Sequence, residues 1–184
     1  MAELVSTQGF VLAGGQSVRM GRDKANLEWH GRTLLEHMVT LLSSVTDRVQ
    51  VVGRPPLNDL VPGRGPLGGI ATALEVSDLD ANLVVAVDLP FLTPEFLKYF
   101  KNRFEKSAES SLACRIGGRY PLCLWLRKSV LTEVHRRLDA GELSVHGLIE
   151  ACGSDLITET DLSSSGFSSI LFKNLNTPAD LESI

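Results

Sequence analysis

No stretch of this sequence approaches the roughly 18 consecutive apolar residues of a membrane-spanning helix. Its clean apolar runs, such as Leu83-Val84-Val85-Ala86-Val87, have the length of strands, and no membrane association is expected. Cysteine is scarce. Cys114, Cys123 and Cys152 are odd in number and lack Cys-x-x-Cys spacing, so neither a disulfide framework nor a zinc site is indicated. Small buried hydrophobes in a reducing compartment are expected instead. A basic excess is missing too: the net charge is −4, which argues against a general nucleic-acid binder. His30, His37, His135 and His146 show no metal-ligand spacing with each other or with a cysteine, which points to structural or surface roles. A secretory pattern is also lacking, because "MAELVSTQGF" carries Glu3 where a signal peptide is basic. A cytoplasmic protein is the expectation.

What remains is an ordinary globular composition: 184 residues, 43% hydrophobic and 22% charged. That length suits a single domain over residues 1–184 that needs no staples to fold. Strand and helix signals alternate. Phe10–Leu12 reads as a first strand. Thr33-x-x-Glu36 is a capping box opening a helix with Leu34, Met38, Leu41, Leu42 and Val45 on its apolar face. "RVQVV", Arg48–Val52, is a second strand, Gly65–Gly69 leads into a helix carrying Ile70 and Leu74, and Leu83–Val87 suits a strand buried on both faces. Thr93-Pro94 supplies an N-cap and first-turn proline for a helix with Phe96, Phe100 and Phe104 on one side.

Further along, Ser111–Arg115 and Pro121–Leu126, split by Gly117-Gly118, form a strand pair, and helices come next near Val130–Ala140 and from Ser144. Ser163–Ser169 is expected to be a loop, "SILFKNL" (Ser169–Leu175) a late strand, and Thr177-Pro178-Ala179-Asp180 the start of a terminal helix. The β-α-β-α-β opening indicates an α/β fold with a mostly parallel sheet.

The chemistry concentrates where the first strand ends. Leu12-Ala13-Gly14-Gly15 leads to Arg19, Arg22 and Lys24. In open α/β sheets ligands bind beyond the carboxyl ends of the strands. Successive glycines let main-chain N–H groups turn toward one anion, and charge-assisted bonds from arginine and lysine strengthen that grip. A phosphate site accounts for this loop better than a tight turn with a solvated basic rim. It is not a Walker A loop, since Gly21 is followed by Arg22-Asp23-Lys24-Ala25. Gly63-Arg64-Gly65-Pro66-Leu67-Gly68 matches the dinucleotide-binding G-x-G-x-x-G, with Asp88 20 residues beyond. It fails on context, because "LNDLVP" before it is no buried strand. Asp88 itself ends the strand "LVVAV" at the same sheet edge as the glycine loop. A carboxylate beside phosphates is favourable when a cation lies between them, and Mg²⁺ takes one or two carboxylates plus phosphate oxygens.

With L-A-G-G-Q-S-x-R-M-G-x-D-K at Leu12–Lys24, G-P-L-G-G-I at Gly65–Ile70, V-D-L-P-F-L at Val87–Leu92 and N-T-P-A-D-L at Asn176–Leu181, the chain resembles the molybdenum cofactor guanylyltransferases. Arg119-Tyr120-Pro121-Leu122 and Leu138-Asp139-Ala140-Gly141 also match family segments. This family belongs to the wider nucleotidyltransferase group. The resemblance implies a three-layer Rossmann-like nucleotidyltransferase fold, Mg²⁺ as cofactor, and transfer of GMP from GTP to the molybdopterin cofactor with release of pyrophosphate. It further implies that the main chain of Leu12, Ala13, Gly14 and Gly15 holds the nucleotide and that Lys24 pairs with its phosphates. Asp59 would lie in the guanosine site, Asp88 would ligate Mg²⁺, and Arg19 would stabilise charge on the leaving pyrophosphate. Arg119 and Asn176 fall toward the pterin. The chain departs from some relatives at Gly53, where they have Asn, so a base or ribose contact is missing or supplied by main chain. A monomer is expected, with cofactor-delivery or acceptor proteins as partners.

In-line transfer between two phosphates needs positioning and charge neutralisation, not a covalent nucleophile from the protein. The sequence accordingly shows no convincing Ser/His/Asp or Cys/His set. Two alternatives stand beside this one: a nucleotidyltransferase using CTP or another NTP on a different phosphorylated acceptor, and a non-catalytic nucleotide-binding regulator.

Overall fold

In the computed structural model, which describes residues 6–14 and 23–175, the first strand, β1 (Thr7–Leu12), is buried along its whole length. It lies inside a six-stranded sheet ordered β4-β1-β5-β7-β6-β8. β4 (Arg48–Val52) and β5 (Ala81–Ala86) flank it in parallel, with Leu12 opposite both Val52 and Ala86. β7 (Cys123–Arg127) runs antiparallel to β5 and to β6 (Ser111–Arg115), and β8 (Asp155–Thr158) returns parallel to β6. A small antiparallel pair, β2 (Glu28–Trp29) and β3 (Arg32–Thr33), stands apart from this sheet.

Alternation along the strands divides the core into two faces. Val11, Leu83, Val85 and Trp125 pack with α1 (Leu34–Ser43) and α3 (Pro94–Lys106). Phe10, Leu12, Val84 and Leu124 pack with α2 (Gly65–Val76), α4 (Leu131–Asp139) and α5 (Val145–Ala151). The result is three layers, helices on both sides of a mostly parallel sheet. Cys114 and Cys123 are filler in the first face, and burial pushes both thiols up, so they stay protonated.

Local signals set the helix starts. Thr33 and Glu36 form the reciprocal box, with Glu36 N donating to Thr33 Oγ1 (3.1 Å) and Thr33 N donating to Glu36 Oε2 (2.8 Å). Thr93 accepts from Phe96 N at 3.2 Å, and Phe96, Phe100 and Phe104 are all buried. The glycines at the start of α2 serve packing: a Cβ on Gly68 would come 2.7 Å from Val61 O, and one on Gly69 3.1 Å from a Leu12 methyl. "LNDLVP" before them is no strand.

Two expectations fail. Ser169–Leu175 is not a strand. Ser169–Phe172 forms a 3₁₀ turn capped by Ser168, and Leu175 N donates to Asp88 O at 3.0 Å. The packing gives the reason: Leu171 and Phe172 are adjacent and both join the same face of the core, the one that holds α1 and α3, where a strand would send neighbours to opposite faces. The strand beside β6 is instead β8, whose Asp155 takes both arms of the Arg103 guanidinium from α3 (3.0 and 3.1 Å). The serine-rich loop is shorter than expected, because α6 (Glu159–Ser164) occupies its first part, opened by a second capping box between Thr158 and Asp161. The terminal helix expected from Thr177 lies outside the described residues.

Candidate active site

β1, β4 and β5 are parallel and in register at Leu12, Val52 and Ala86. The chain therefore delivers Gly14, Arg54 and Asp88 to one sheet edge, each two residues beyond that row. Ala13 N donates to Val52 O (2.9 Å), Leu12 O accepts from Val87 N (3.1 Å), and Ala13 O accepts from Arg54 Nε (3.0 Å). These main-chain groups thus serve the sheet and fix where Gly14 sits.

Gly14 packs against the neighbouring crossover. A Cβ there would come 2.9 Å from Gly53 Cα and 3.0 Å from Asp59 Oδ2. Gly53 has φ +89°, where a side chain is strained, and its N donates to Leu57 O at 2.9 Å. The departure at Gly53 therefore has a local cause: main chain meets main chain, with no room between. Asp59 is half-buried beside Gly14, and loss of solvent raises its pKa above the ordinary aspartate value.

Lys24 opens a 3₁₀ turn, Lys24–Asn26, whose cap is Asp23. Its Nζ lies 3.6 Å from Asp88 Oδ2, with both side chains largely shielded (28% and 18% exposed). Asn174 Nδ2 donates to the same Asp88 oxygen (3.3 Å). His37 Nε2 donates to Pro90 O (3.0 Å), pinning the segment after Asp88 to α1.

Beside Asp88 a cavity of about 580 Å³ is lined by Arg119, Tyr120, Ile116, Phe172 and Asn174 among others. Lys24, Asp88 and Arg119 are thus gathered around one region, with Gly14 and Asp59 packed together on the β1–β4 side. Arg19, Gly15 and Asn176 lie outside the described residues. Tyr120, from the matched segment Arg119–Leu122, lines the cavity too, whereas Arg54 and Asn174 lie at this sheet edge without having stood out in the sequence. Only their spacing hints at them: Arg54 directly succeeds the second strand's glycine, and Asn174 precedes Asn176 by two.

Among the described residues no group of three His, Cys, Asp or Glu side chains is placed to hold a metal ion. Asp88, a single aspartate beside Lys24, would fit a hard cation only with other oxygens, such as those of a phosphate and water, completing its shell. It does not fit a protein-only cage. No helix among those residues is long and apolar enough to cross a membrane.

The chain is similar in sequence and in fold to known proteins. The family model of the MobA-like NTP transferase domain matches residues 9–154. A probable molybdenum cofactor guanylyltransferase of Carboxydothermus hydrogenoformans is 32% identical over 183 residues, covering 95% of this chain and 92% of that protein. The crystal structure of molybdopterin-guanine dinucleotide biosynthesis protein A from Archaeoglobus fulgidus superposes with a TM-score of 0.78 at 25% identity, covering 96% of this chain and 95% of that one. A 2-C-methyl-D-erythritol 4-phosphate cytidylyltransferase from Thermus thermophilus shares the fold, with a TM-score of 0.66 at 18% identity over 94% of each chain. From β1 through β6 and β7 to the start of β8, with Gly14, Lys24, Asp59 and Asp88 inside the matched span, the chain belongs to the MobA-like NTP transferase family.

Proposed function

We propose that this protein transfers GMP from GTP to the molybdopterin cofactor, forming the guanine dinucleotide form and releasing pyrophosphate. The single observation that supports this most is the meeting of Lys24 and Asp88 at 3.6 Å, at the strand edge that holds Gly14 and next to the cavity. A lysine and an aspartate paired in the free protein can exchange partners when a triphosphate and its cation arrive. Lys24 would then pair with phosphate, leaving Asp88 as the residue that would hold the cation.

On this reading the nucleoside lies over Gly14 toward Asp59, whose half-buried carboxylate accepts hydrogen bonds from guanosine N–H or O–H groups. The absence of a Cβ at Gly14 and Gly53 leaves flat main chain there. Arg119 and Asn174, with Asn176 close by in sequence, serve the pterin side, Arg119 as a positive charge for the acceptor phosphate. Asp88 would hold Mg²⁺, which when bound neutralises charge on the triphosphate. An oxygen of the acceptor's terminal phosphate attacks the α-phosphorus, the bond from that phosphorus to the bridging oxygen breaks, and pyrophosphate departs with the electron pair. Lys24 and Arg19 offset its charge. The attacking oxygen is already anionic, so the protein needs no strong base.

Pyrophosphate release measured with Mg²⁺ and each of GTP, CTP, ATP and UTP, with and without molybdopterin, tests the proposal. Release with GTP that depends on molybdopterin is expected. A preference for CTP, or release indifferent to the acceptor, would reject the guanylyl assignment.

A further inference from the structure

We propose that Arg54 is a positioning residue for the transfer reaction, tying the end of β1 to the turn that carries Lys24 and so fixing the distance between the two sides of the phosphate site. The inference rests on the reading of Gly14 and Lys24 given above. Arg54 sits level with Gly14 and Asp88, two residues past the in-register row of β4. Its Nε donates to Ala13 O at 3.0 Å, and its Nη2 donates to Asp23 Oδ1.

These two acceptors flank Gly14 and residues 15–22 in the chain, so one guanidinium joins both flanks of that stretch. Asp23 in turn organises the next three residues. Its Oδ1 also accepts from Ala25 N at 3.2 Å, which caps the turn, and its Oδ2 lies 3.4 Å from Asn26 Nδ2. Lys24 is the first residue of that turn and reaches Asp88. A continuous path therefore runs from Ala13 through Arg54, Asp23 and the turn to Lys24.

Arginine suits this task because its donors are held in a rigid plane at fixed angles. A lysine carries its donors on one nitrogen and cannot reproduce the fixed spacing between Nε and Nη2 that spans these two acceptors. The ion pair is more than a loose surface contact, with side chains 26% and 38% exposed. The Arg54 hydrogen bond is also the largest reason that the Asp23 carboxyl is held below the usual aspartate value.

A cycle on the full-length protein tests the proposal, using kcat and KM for GTP with molybdopterin as acceptor. Arg54→Lys, Lys24→Ala and their double variant are compared with the wild type, with thermal melting of each to confirm folding. Misplacement of a reacting group by about 1 Å can cost on the order of 100-fold. Arg54→Lys is therefore expected to lower kcat/KM by about 10- to 100-fold when Lys24 is present. In the Lys24→Ala background it should change the same quantity by less than about 2-fold, since residues acting as one unit do not add. Equal losses in both backgrounds would overturn the inference, because Arg54 would then act independently of Lys24. Should Arg54→Lys fail to fold, Asp23→Asn takes its place in the cycle with the same expectation. A Lys24→Ala variant as active as the wild type would overturn the reading of the site and the inference with it. A Lys24-dependent enzyme with multiplying losses would overturn the inference alone.

Discussion

Asp88 owes its place to bonds on several sides. Its carbonyl accepts from Leu175 N (3.0 Å), its carboxylate meets Lys24 and Asn174, and Pro90 beyond it is held by His37. A side chain so fixed at a strand end is placed for charge rather than for packing. Asp88→Ala is accordingly expected to cut kcat by about 100- to 1000-fold, the size of loss seen when one electrostatic stabiliser is removed, with little change in nucleotide affinity. Single-turnover kinetics beside calorimetric titration with GTP would show it, and unchanged turnover would remove Asp88 from the site. Gly53 carries the opposite kind of constraint, in its backbone. With φ at +89° and Gly14 in contact, Gly53→Ala should destabilise the fold by about 1–3 kcal/mol, read from urea denaturation at constant m-value. Asp88 was legible in the sequence because a carboxylate closing a buried apolar run is costly to desolvate unless a cation or a donor meets it there. Arg54 was not, since an arginine before Pro55-Pro56 looks like any solvated loop charge until Ala13 and Asp23 are folded against it.

At the scale of elements, whatever rests on neighbours in the chain could be read directly. The Thr33/Glu36 box, the Thr93-Pro94 start and the Arg48–Val52 strand all appear where their patterns put them. Pieces set by distant partners could not be read. β8 is short and marginal by itself, and it pairs with β6 where Arg103 grips its first residue. Residues 169–172 look strand-like in composition but curl into a 3₁₀ turn so that Phe172 meets Phe96 edge-on at 5.3 Å. The end of α2 shows the same dependence. Lys128, just after β7, donates from Nζ to Leu74 O, to Glu75 O (3.2 Å) and to Ser77 O (2.8 Å), supplying donors to carbonyls the helix cannot satisfy. Lys128→Met keeps the stem and removes those donors. A loss of about 1–3 kcal/mol is expected from hydrogen bonds with a charged partner. A chemical denaturation midpoint equal to the wild type's would show these carbonyls to be satisfied by water.

Over the whole molecule, stability should depend on acid in a direction set by how its carboxylates are used. Asp47 accepts from Thr7 N (2.7 Å) and Thr7 Oγ1 (3.1 Å), tying the start of β1 to the turn before β4. Those hydrogen bonds favour the ionised form and hold its pKa below the ordinary aspartate value. Asp23 and Glu133 are lowered as well, by bonds from Arg54 and Arg136, and so are Glu36 and Asp161, by cap hydrogen bonds. A carboxylate with a depressed folded-state pKa contributes its full stabilisation above its unfolded value of about 4. That contribution is lost as pH falls through the depressed value, because the unfolded chain then binds the proton more readily. Asp59 acts against this trend: burial raises its pKa, so it favours the fold when protonated and opposes it when ionised. With the lowered groups outnumbering the raised one among the described carboxylates, the melting temperature should fall as pH drops below about 5. Asp47→Asn isolates one of the lowered groups. It should melt lower than the wild type at pH 7, and the gap should close as the wild-type carboxyl protonates. Melting curves of the two proteins that stayed parallel down to pH 3 would mean that Asp47 holds β1 by shape and not by charge.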